Sequence, residues 1–212
     1  MSYSLFINIS LENIVLSSDD QYIVIPRGDL EMNLPQALYD YFSKQDKNIS
    51  DFSVYVLNGP GSFTNLRIGC LCVNMLKELM EIQGKKIHLY HQDKKNLYRI
   101  LSQKGFLVST GIMYIGQRKN FWVGDLQSDT MQLKAVDERN ASGFFLGENF
   151  WIDSQGESLN IPSAHQLDFR HQEGGLQVIW NNQVFAAPRE QLGFEEVDKL
   201  MPNYILEPNI SV

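Results

Sequence analysis

The chain reads Asn58-Gly59-Pro60-Gly61-Ser62-Phe63-Thr64-Asn65-Leu66-Arg67-Ile68-Gly69 at the point where an apolar segment gives way to a long helical pattern. Two glycines around a proline force a sharp backbone turn. Ser62 or Thr64 can then cap the helix that follows. We therefore predict a strand over Phe52–Leu57 and a helix over Thr64–Ile82, which ends before Gly84, a C-terminal cap.

The segments on both sides of this turn alternate between strand and helix. Before it, three short strands form an antiparallel meander and a helix follows, with Asn33 as a cap and Pro35 in its first turn. The predicted elements around the turn are strands Tyr3–Ile9, Asn13–Leu16 and Tyr22–Pro26, helix Pro35–Lys44, strand Ile87–Tyr90 and helix Lys94–Ser102. This order predicts an α/β protein in which helices pack on a sheet.

The second half of the chain has a strand-rich pattern. We predict strands at Phe106–Ser109, Ile112–Ile115, Phe121–Leu126 and Met131–Val136, a hairpin turn at Gly116–Asn120, and short strands and loops over 140–195. A boundary near 103–105 divides the chain into an N-terminal lobe, residues 1–103, and a C-terminal lobe, residues 104–212, whose tail returns to the first lobe.

Composition limits the classes of function that are open to this protein. The chain has 212 residues, of which 43% are hydrophobic and 20% charged, so it can form a packed core. Its net charge of −7 disfavours a dedicated nucleic-acid binder, because an acidic surface repels phosphate. Met1–Ser10 does not resemble a signal peptide, and no window approaches the ~18 apolar residues of a membrane span. We expect a soluble cytoplasmic protein.

The predicted helix Thr64–Ile82 carries too little polar surface for an ordinary surface helix. Its polar residues are few and fall mostly along one narrow stripe: Asn65, Arg67, Asn74, Lys77, Glu78 and Glu81. An apolar circumference this broad must be covered on two sides. The sheet covers one side, and either helix Pro35–Lys44 or another protein covers the other. The helix is therefore either a central core helix or one shared between the core and an interface.

The glycine turn does not match the known phosphate-binding or nucleophile motifs. A Rossmann fingerprint needs a third glycine where Thr64 stands, and a P-loop needs a Gly-Lys-Ser/Thr ending that is absent here. A nucleophile elbow around Ser62 needs glycine at positions 60 and 64. We interpret Ser62 as a cap or turn residue.

Metal and thiol chemistry are also not indicated. His88 and His91 lie near Asp93, but no recognisable ligand set is completed, so we expect no metal site. Cys70 and Cys72 stand two apart in a helix, where their side chains point in different directions. We interpret them as buried thiols in a reducing compartment.

The glycine turn resembles the signature of the TsaB family, also called YeaZ, which reads Gly-Pro-Gly-Ser-Phe-Thr-Gly-Leu-Arg-Ile-Gly. This chain differs from it only at Asn65, where the family has glycine. The flanks are similar as well. Ile7–Glu12 resembles the family's Ile-Asp-Thr-Ser-Thr-Glu. The other matching positions are Arg27, Leu34 and Pro35 before the first helix, and Pro202, Tyr204 and Pro208 in the tail, with Leu206 where arginine is usual.

The resemblance implies a two-lobed actin-like fold of the sugar kinase, Hsp70 and RNase H-like type, with a reduced or divergent second lobe. It implies a non-catalytic role in making threonylcarbamoyladenosine at tRNA position 37, without a cofactor. Family members pair with a catalytic paralogue, TsaD, and a small ATPase, TsaE, joins that pair. They also form homodimers through a similar surface. Contact with tRNA is then made only indirectly, through the partner, and no membrane is involved.

In the family, the helices that match Pro35–Lys44 and Thr64–Ile82 supply the partner surface. Carried over to this chain, the interface residues are Leu34, Leu38, Tyr41, Phe42, Arg67, Leu71, Asn74, Met75, Glu78 and Leu79. The structural motif residues are Gly59, Pro60, Gly61, Ser62, Phe63, Thr64 and Gly69.

The chain departs from the family pattern in places that matter for function. Asn8 replaces the acidic residue that actin-like ATPases use, which argues against ATP hydrolysis. Leu71, Val73 and Met75 replace small residues, so we expect a partner helix to be held further away. Tyr114-Ile115-Gly116 stands where the family has Asp-Ala-Arg.

Two alternatives to the scaffold role remain at this stage. One is a homodimeric interaction protein that has left the tRNA pathway. The other is a small-molecule acyltransferase or kinase-like enzyme that uses the cleft between the lobes.

Overall fold

The structure is a computed structural model. It describes residues 3–11, 13–45, 49–107, 109–114, 120–128, 132–135, 144–146, 150–152, 158–160, 168–172, 175–180 and 182–204. For 110–114, 120–124, 132–135, 144–146, 150–152 and 158–160 only the backbone is described. The predicted turn at Gly116–Asn120 lies outside the described residues, apart from Asn120.

A six-stranded sheet forms the centre of the described structure. Its strands are β1 (Tyr3–Asn8), β2 (Ile14–Ser17), β3 (Tyr22–Ile25), β4 (Asp51–Leu57), β5 (Lys86–Gln92) and β15 (Glu195–Glu196). The order across the sheet is β15-β5-β4-β1-β2-β3. β1, β4 and β5 are parallel neighbours, and β1 to β3 form the predicted antiparallel meander. The prediction of an α/β protein in which helices pack on a sheet is confirmed.

Helices cover one face of this sheet and a mixed layer covers the other. The helices are α1 (Leu30–Ser43), α2 (Phe63–Ile82) and α3 (Lys94–Gln103). Because side chains alternate along a strand, Leu5 and Ile7 of β1 pack against α1 and α2, while Phe6 packs in the other direction. On that second face lie α3 and a small three-stranded sheet of β12 (Asp168–Gln172), β13 (Gly175–Trp180) and β14 (Gln183–Pro188).

The remaining strands belong to two further sheets. A four-stranded sheet has the order β8-β7-β6-β9, and β10 pairs with β11. The bounds are β6 Thr110–Tyr114, β7 Asn120–Asp125, β8 Gln132–Ala135, β9 Phe144–Leu146, β10 Phe150–Ile152 and β11 Ser158–Asn160. The division of the chain into lobes 1–103 and 104–212 stays a prediction. Among the described helices, none combines the length and the apolar character that a membrane span requires.

Two predicted elements differ from the structure. The first helix begins at Leu30, five residues before Pro35, because Leu30 is buried and extends the apolar face of Leu34 and Leu38 by one turn. Pro35 therefore lies inside α1 instead of in its first turn. The strand predicted at Phe106–Ser109 is also wrong: Gly105 has a φ of +74°, which ends α3 in a turn that includes Phe106 and Leu107.

Candidate docking surface

The glycine turn brings β1 and the start of α2 into close contact. An added Cβ at Gly61 would overlap the backbone carbonyl of Ser10, which follows β1. At Gly69, two turns into α2, it would lie 2.6 Å from Cγ2 of Ile9. Because real Cβ atoms do not approach so closely, only glycine fits at these two positions. They fix α2 against the carboxyl end of β1.

Ser62 occupies the N-cap position of α2, as one of the two predicted candidates. Its side chain makes no capping hydrogen bond, and the buried Oγ has no partner among the described residues. Its backbone carbonyl accepts from Leu66 N at 2.9 Å. Thr64, the other candidate, lies inside α2. Asn65, where the chain departs from the family signature, is fully buried, and its Nδ2 donates to the Leu11 carbonyl at 2.7 Å.

The carboxyl ends of the parallel strands, where α/β proteins usually bind ligands, are closed by the chain itself. Asn8, at the end of β1, accepts hydrogen bonds at Oδ1 from the Ser10 backbone at 3.0 Å and from the Ser10 hydroxyl at 2.7 Å. Asn58, which follows β4, donates from Nδ2 to the Met201 carbonyl at 2.6 Å. A C-terminal segment, residues 198–204, therefore lies across this edge.

Two charged residues in the same place are also engaged by the chain. Lys94 is buried, and its Nζ donates to the Ser10 carbonyl at 3.3 Å. Asp93 accepts from the Asn96 backbone and from the side chain of Asn203 in the C-terminal segment. Burial raises the pKa of Asp93, although these hydrogen bonds and the charge of Lys94 oppose the rise. The lysine and the carboxylate act as internal structural groups here.

The outward face of α2 carries a stripe of exposed apolar side chains, which we call the α2 stripe. Its members are Leu71, Met75, Leu79 and Ile82, which are 57%, 52%, 55% and 82% exposed. The first three are four residues apart and so lie above one another on the helix. Large apolar side chains this exposed in a row are typical of a surface that another protein covers.

A groove adjoins the stripe between the first half of α2 and the start of α1. Its volume is about 550 Å³. Glu31 and Pro35 of α1 form one wall; from α2 come Phe63, Thr64, Arg67, Ile68, Leu71, Cys72 and Met75. Phe63 stacks on Tyr204 at a centroid distance of 4.8 Å, which anchors the C-terminal segment at one end of the groove. Burial raises the pKa of the Cys72 thiol, so it is a protonated apolar wall residue.

The structure separates the sequence-predicted interface residues into two groups. Arg67, Leu71, Met75, Glu78 and Leu79 are exposed on α2, where a partner can reach them. The four predicted residues of α1 are at most 5% exposed and belong to the core: Leu34, Leu38, Tyr41 and Phe42. Their interface role is corrected, because this apolar face of α1 is the one that packs on the sheet and α2.

Two residues of α2 also have roles that differ from the prediction. Val73 is 1% exposed and packs in the core, so it does not hold a partner helix away. Asn74 forms a pair of hydrogen bonds with the backbone of Leu200, from Nδ2 to the carbonyl and from the backbone N–H to Oδ1, both at 2.9 Å. It clamps the C-terminal segment to α2.

Sequence reasoning missed three exposed residues close to this surface. They are Ile82 at the end of α2, and Met32 and Tyr39 on α1, which are 73% and 67% exposed. The spacing of Ile82 from Leu79 and Met75 was a usable signal, because positions three and four apart share a helix face. Met32 precedes the predicted start of α1 and could not be placed on a helix face, whereas Tyr39 lies inside the predicted helix and could have been placed by its spacing.

The fold and this surface together define a class: an α/β protein with a mixed six-stranded sheet, a carboxyl edge closed by its own chain, and an exposed apolar face on α2. No family model matches the chain, and no curated protein matches it either.

Among solved structures, YeaZ from Pseudomonas aeruginosa is 20% identical in sequence to this chain, with a TM-score of 0.39. The match covers 69% of this chain and 75% of the YeaZ chain. A second crystal structure, of an uncharacterized protein with similarity to peptidase YeaZ from the same organism, is 18% identical. It covers 69% of this chain and 76% of its own, with a TM-score of 0.40. These are distant similarities, and the functional proposal rests on the docking surface instead.

Proposed function

We propose that this protein is a non-catalytic scaffold that docks through the α2 stripe onto a TsaD-like catalytic subunit and activates it for threonylcarbamoyladenosine formation at tRNA position 37. A TsaE-like ATPase then joins that pair, and tRNA is contacted through the partner. The observation that carries the proposal is the exposed row of Leu71, Met75 and Leu79 on the helix that follows the TsaB-like glycine turn.

The pattern of exposure on α2 supports docking better than a purely structural role. A core helix would bury this row, yet the three side chains are more than half exposed. The charged side chains of Arg67, one turn before Leu71, and Glu78, next to Leu79, flank the row. An apolar centre with charged residues at its margin is the usual arrangement of a protein interface.

The closed carboxyl edge supports a partner that supplies the chemistry. Asn58 and Asp93 are held by Met201 and Asn203 of the C-terminal segment, at the edge where a ligand of an α/β enzyme would bind. The net charge of −7 is consistent with a partner that supplies most of the positive charge for tRNA.

The experiment is a pull-down of the TsaD homologue from the same genome by this chain, followed by a tRNA threonylcarbamoylation assay. In the test variant, Leu71→Glu is combined with Met75→Glu, which places two charges in the α2 stripe. We expect the dissociation constant to rise at least about a hundredfold, since central apolar interface residues often cost 1 kcal/mol or more each, and two charges add desolvation.

The control is Val184→Glu, because Val184 is 60% exposed on β14, on the opposite side of the sheet. This variant should bind and activate like the wild type. Equal binding by the Leu71/Met75 variant would remove the α2 stripe from the interface. Binding without any gain in tRNA modification would remove the activator role.

A second candidate is a homodimeric interaction protein that has left the tRNA pathway. It is favoured by the placement of Arg67 before Leu71 and of Glu78 beside Leu79, because antiparallel packing of two copies of α2 brings these opposite charges towards each other. Light scattering of the pure chain and of its mixture with the TsaD homologue separates the two. If the chain stays a homodimer when the TsaD homologue is added, this candidate is favoured.

A further inference from the structure

A polar cluster lies on the face of the six-stranded sheet that is turned away from α1 and α2. On this face the small sheet β12–β14 packs on β1. Ser4 Oγ of β1 lies 2.5 Å from Nε2 of His171 on β12. Nδ1 of the same ring lies 2.8 Å from Oδ1 of Asp19, in the turn between β2 and β3. A hydroxyl, an imidazole and a carboxylate joined in this order form the arrangement that activates a serine nucleophile.

The protonation state of the cluster suits that role. Burial lowers the pKa of His171, and the neighbouring charge of Arg189 lowers it further, although Asp19 opposes the shift. His171 is therefore neutral at pH 7, with its proton on Nδ1, where Asp19 accepts it. Nε2 is then free to accept the hydroxyl proton of Ser4, as a general base must.

Arg189 places a buried positive charge beside Ser4. It is 5% exposed, it follows β14 in the 3-10 turn Arg189–Leu192, and its Nη2 donates to Ser4 Oγ at 3.1 Å. Its Nε has no hydrogen-bond partner among the described residues, its guanidinium carbon lies 4.1 Å from the centroid of the Tyr55 ring, and the charges of Asp19 and Glu190 act on it. This positive charge beside Ser4 can stabilise negative charge that forms on an oxygen bound there.

We propose that Ser4, His171, Asp19 and Arg189 form a hydrolytic site for short-chain acyl esters. Ser4 is half-buried while His171 and Arg189 are buried, so a small ester must reach the cluster from the side of Ser4. The site is independent of the α2 stripe, which lies beyond the other face of the sheet. It is therefore an activity additional to the scaffold role.

The reaction follows from these contacts. Ser4 Oγ bonds to the carbonyl carbon as its proton passes to His171 Nε2, and the carbonyl electron pair moves onto the oxygen, where the guanidinium of Arg189, whose Nη2 contacts Ser4 Oγ, donates to it. The carbonyl re-forms as the carbon–oxygen bond to the alcohol breaks, and the alcohol takes the proton from His171. Water then attacks the acyl-serine, gives its proton to His171, and releases the carboxylic acid as Ser4 recovers that proton.

The test treats the intact chain with a fluorophosphonate probe, which forms a covalent bond to activated serines, and maps the adduct by peptide mass. Hydrolysis of p-nitrophenyl acetate is measured in parallel. We expect the adduct on Ser4, and a loss of about 10²–10⁴-fold in hydrolysis for His171→Gln, the usual contribution of a general base. Ser4→Ala should abolish both signals.

The matched control is Ser53→Ala. Ser53 stands opposite Ser4 in the parallel register of β1 and β4 and is equally half-buried. The Ser53→Ala variant should show the same labelling and the same rate of hydrolysis as the wild type. Absence of a Ser4 adduct in the wild-type chain overturns the proposal without reliance on any variant. Hydrolysis that survives Ser4→Ala also overturns it, and the cluster is then a structural contact between the two sheets.

Discussion

Asn74 offers a direct test, because the role predicted from the sequence differs from the role that the structure gives it. The sequence places it in the partner interface, whereas in the structure its amide makes two hydrogen bonds of 2.9 Å with the backbone of Leu200. Each such bond contributes about 0.5–1.5 kcal/mol net. Asn74→Ala should therefore lower the free energy of unfolding by about 1–3 kcal/mol.

Urea denaturation followed by circular dichroism measures this change, and thermal unfolding checks it at about 2–4 °C per kcal/mol for a chain of this length. Glu78→Gln, one turn further along the exposed side of α2, should stay within about 0.5 kcal/mol of the wild type, as surface substitutions do. If Asn74→Ala also stays within 0.5 kcal/mol but weakens binding to the TsaD homologue, the clamp is refuted and the sequence-based role stands.

Three further predictions concern the glycine turn, the cluster at His171 and the α2 stripe. Gly61→Ala should cost about 1–3 kcal/mol or more in urea denaturation, since its Cβ meets the Ser10 carbonyl, whereas Gly28→Ala, with open space around it, should cost little. The folded-state pKa of His171 is lowered from 6.5 by burial, so its contribution to stability is full above pH 6.5 and is lost as pH falls towards the folded value. Stability measured from pH 7.5 to 5 should fall for the wild type and fall less for His171→Gln; equal slopes would contradict this. Leu71→Glu with Met75→Glu should leave the unfolding free energy within about 1 kcal/mol of the wild type, because both side chains are exposed; a larger loss in urea would show that they pack in the core.

The sequence predicted the first half of the fold well, because its signals are local. The meander, the glycine turn and α2 follow from turn residues and from apolar spacing within a few residues of each other. The close approach of Gly61 and Gly69 to the end of β1 explains physically why a motif of this kind is specific. The start of α1 differs from the prediction because a proline favours the first turn of a helix, which points to Pro35, whereas burial of Leu30 decides the start.

The docking surface could be predicted only in part. Leu71, Met75 and Leu79, which follow from the family resemblance, do share a helix face, but helical spacing does not show which apolar face meets the sheet and which meets solvent. The same resemblance implies Leu34 and Tyr41 in the interface, although they lie in the core.

The Ser4–His171–Asp19 cluster could not be found from the sequence. Its members are separated by as many as 167 positions, and only the packing of β12 on β1 brings them together.

The central claim is that the α2 stripe docks onto a catalytic partner, and reconstitution tests it most directly. The TsaD homologue of the same genome is combined with tRNA and the remaining pathway components, with the wild-type chain or with the Leu71→Glu, Met75→Glu variant. We predict that threonylcarbamoyladenosine forms with the wild type and falls at least tenfold with the folded variant. Equal product with both chains, or product without either, would contradict the account.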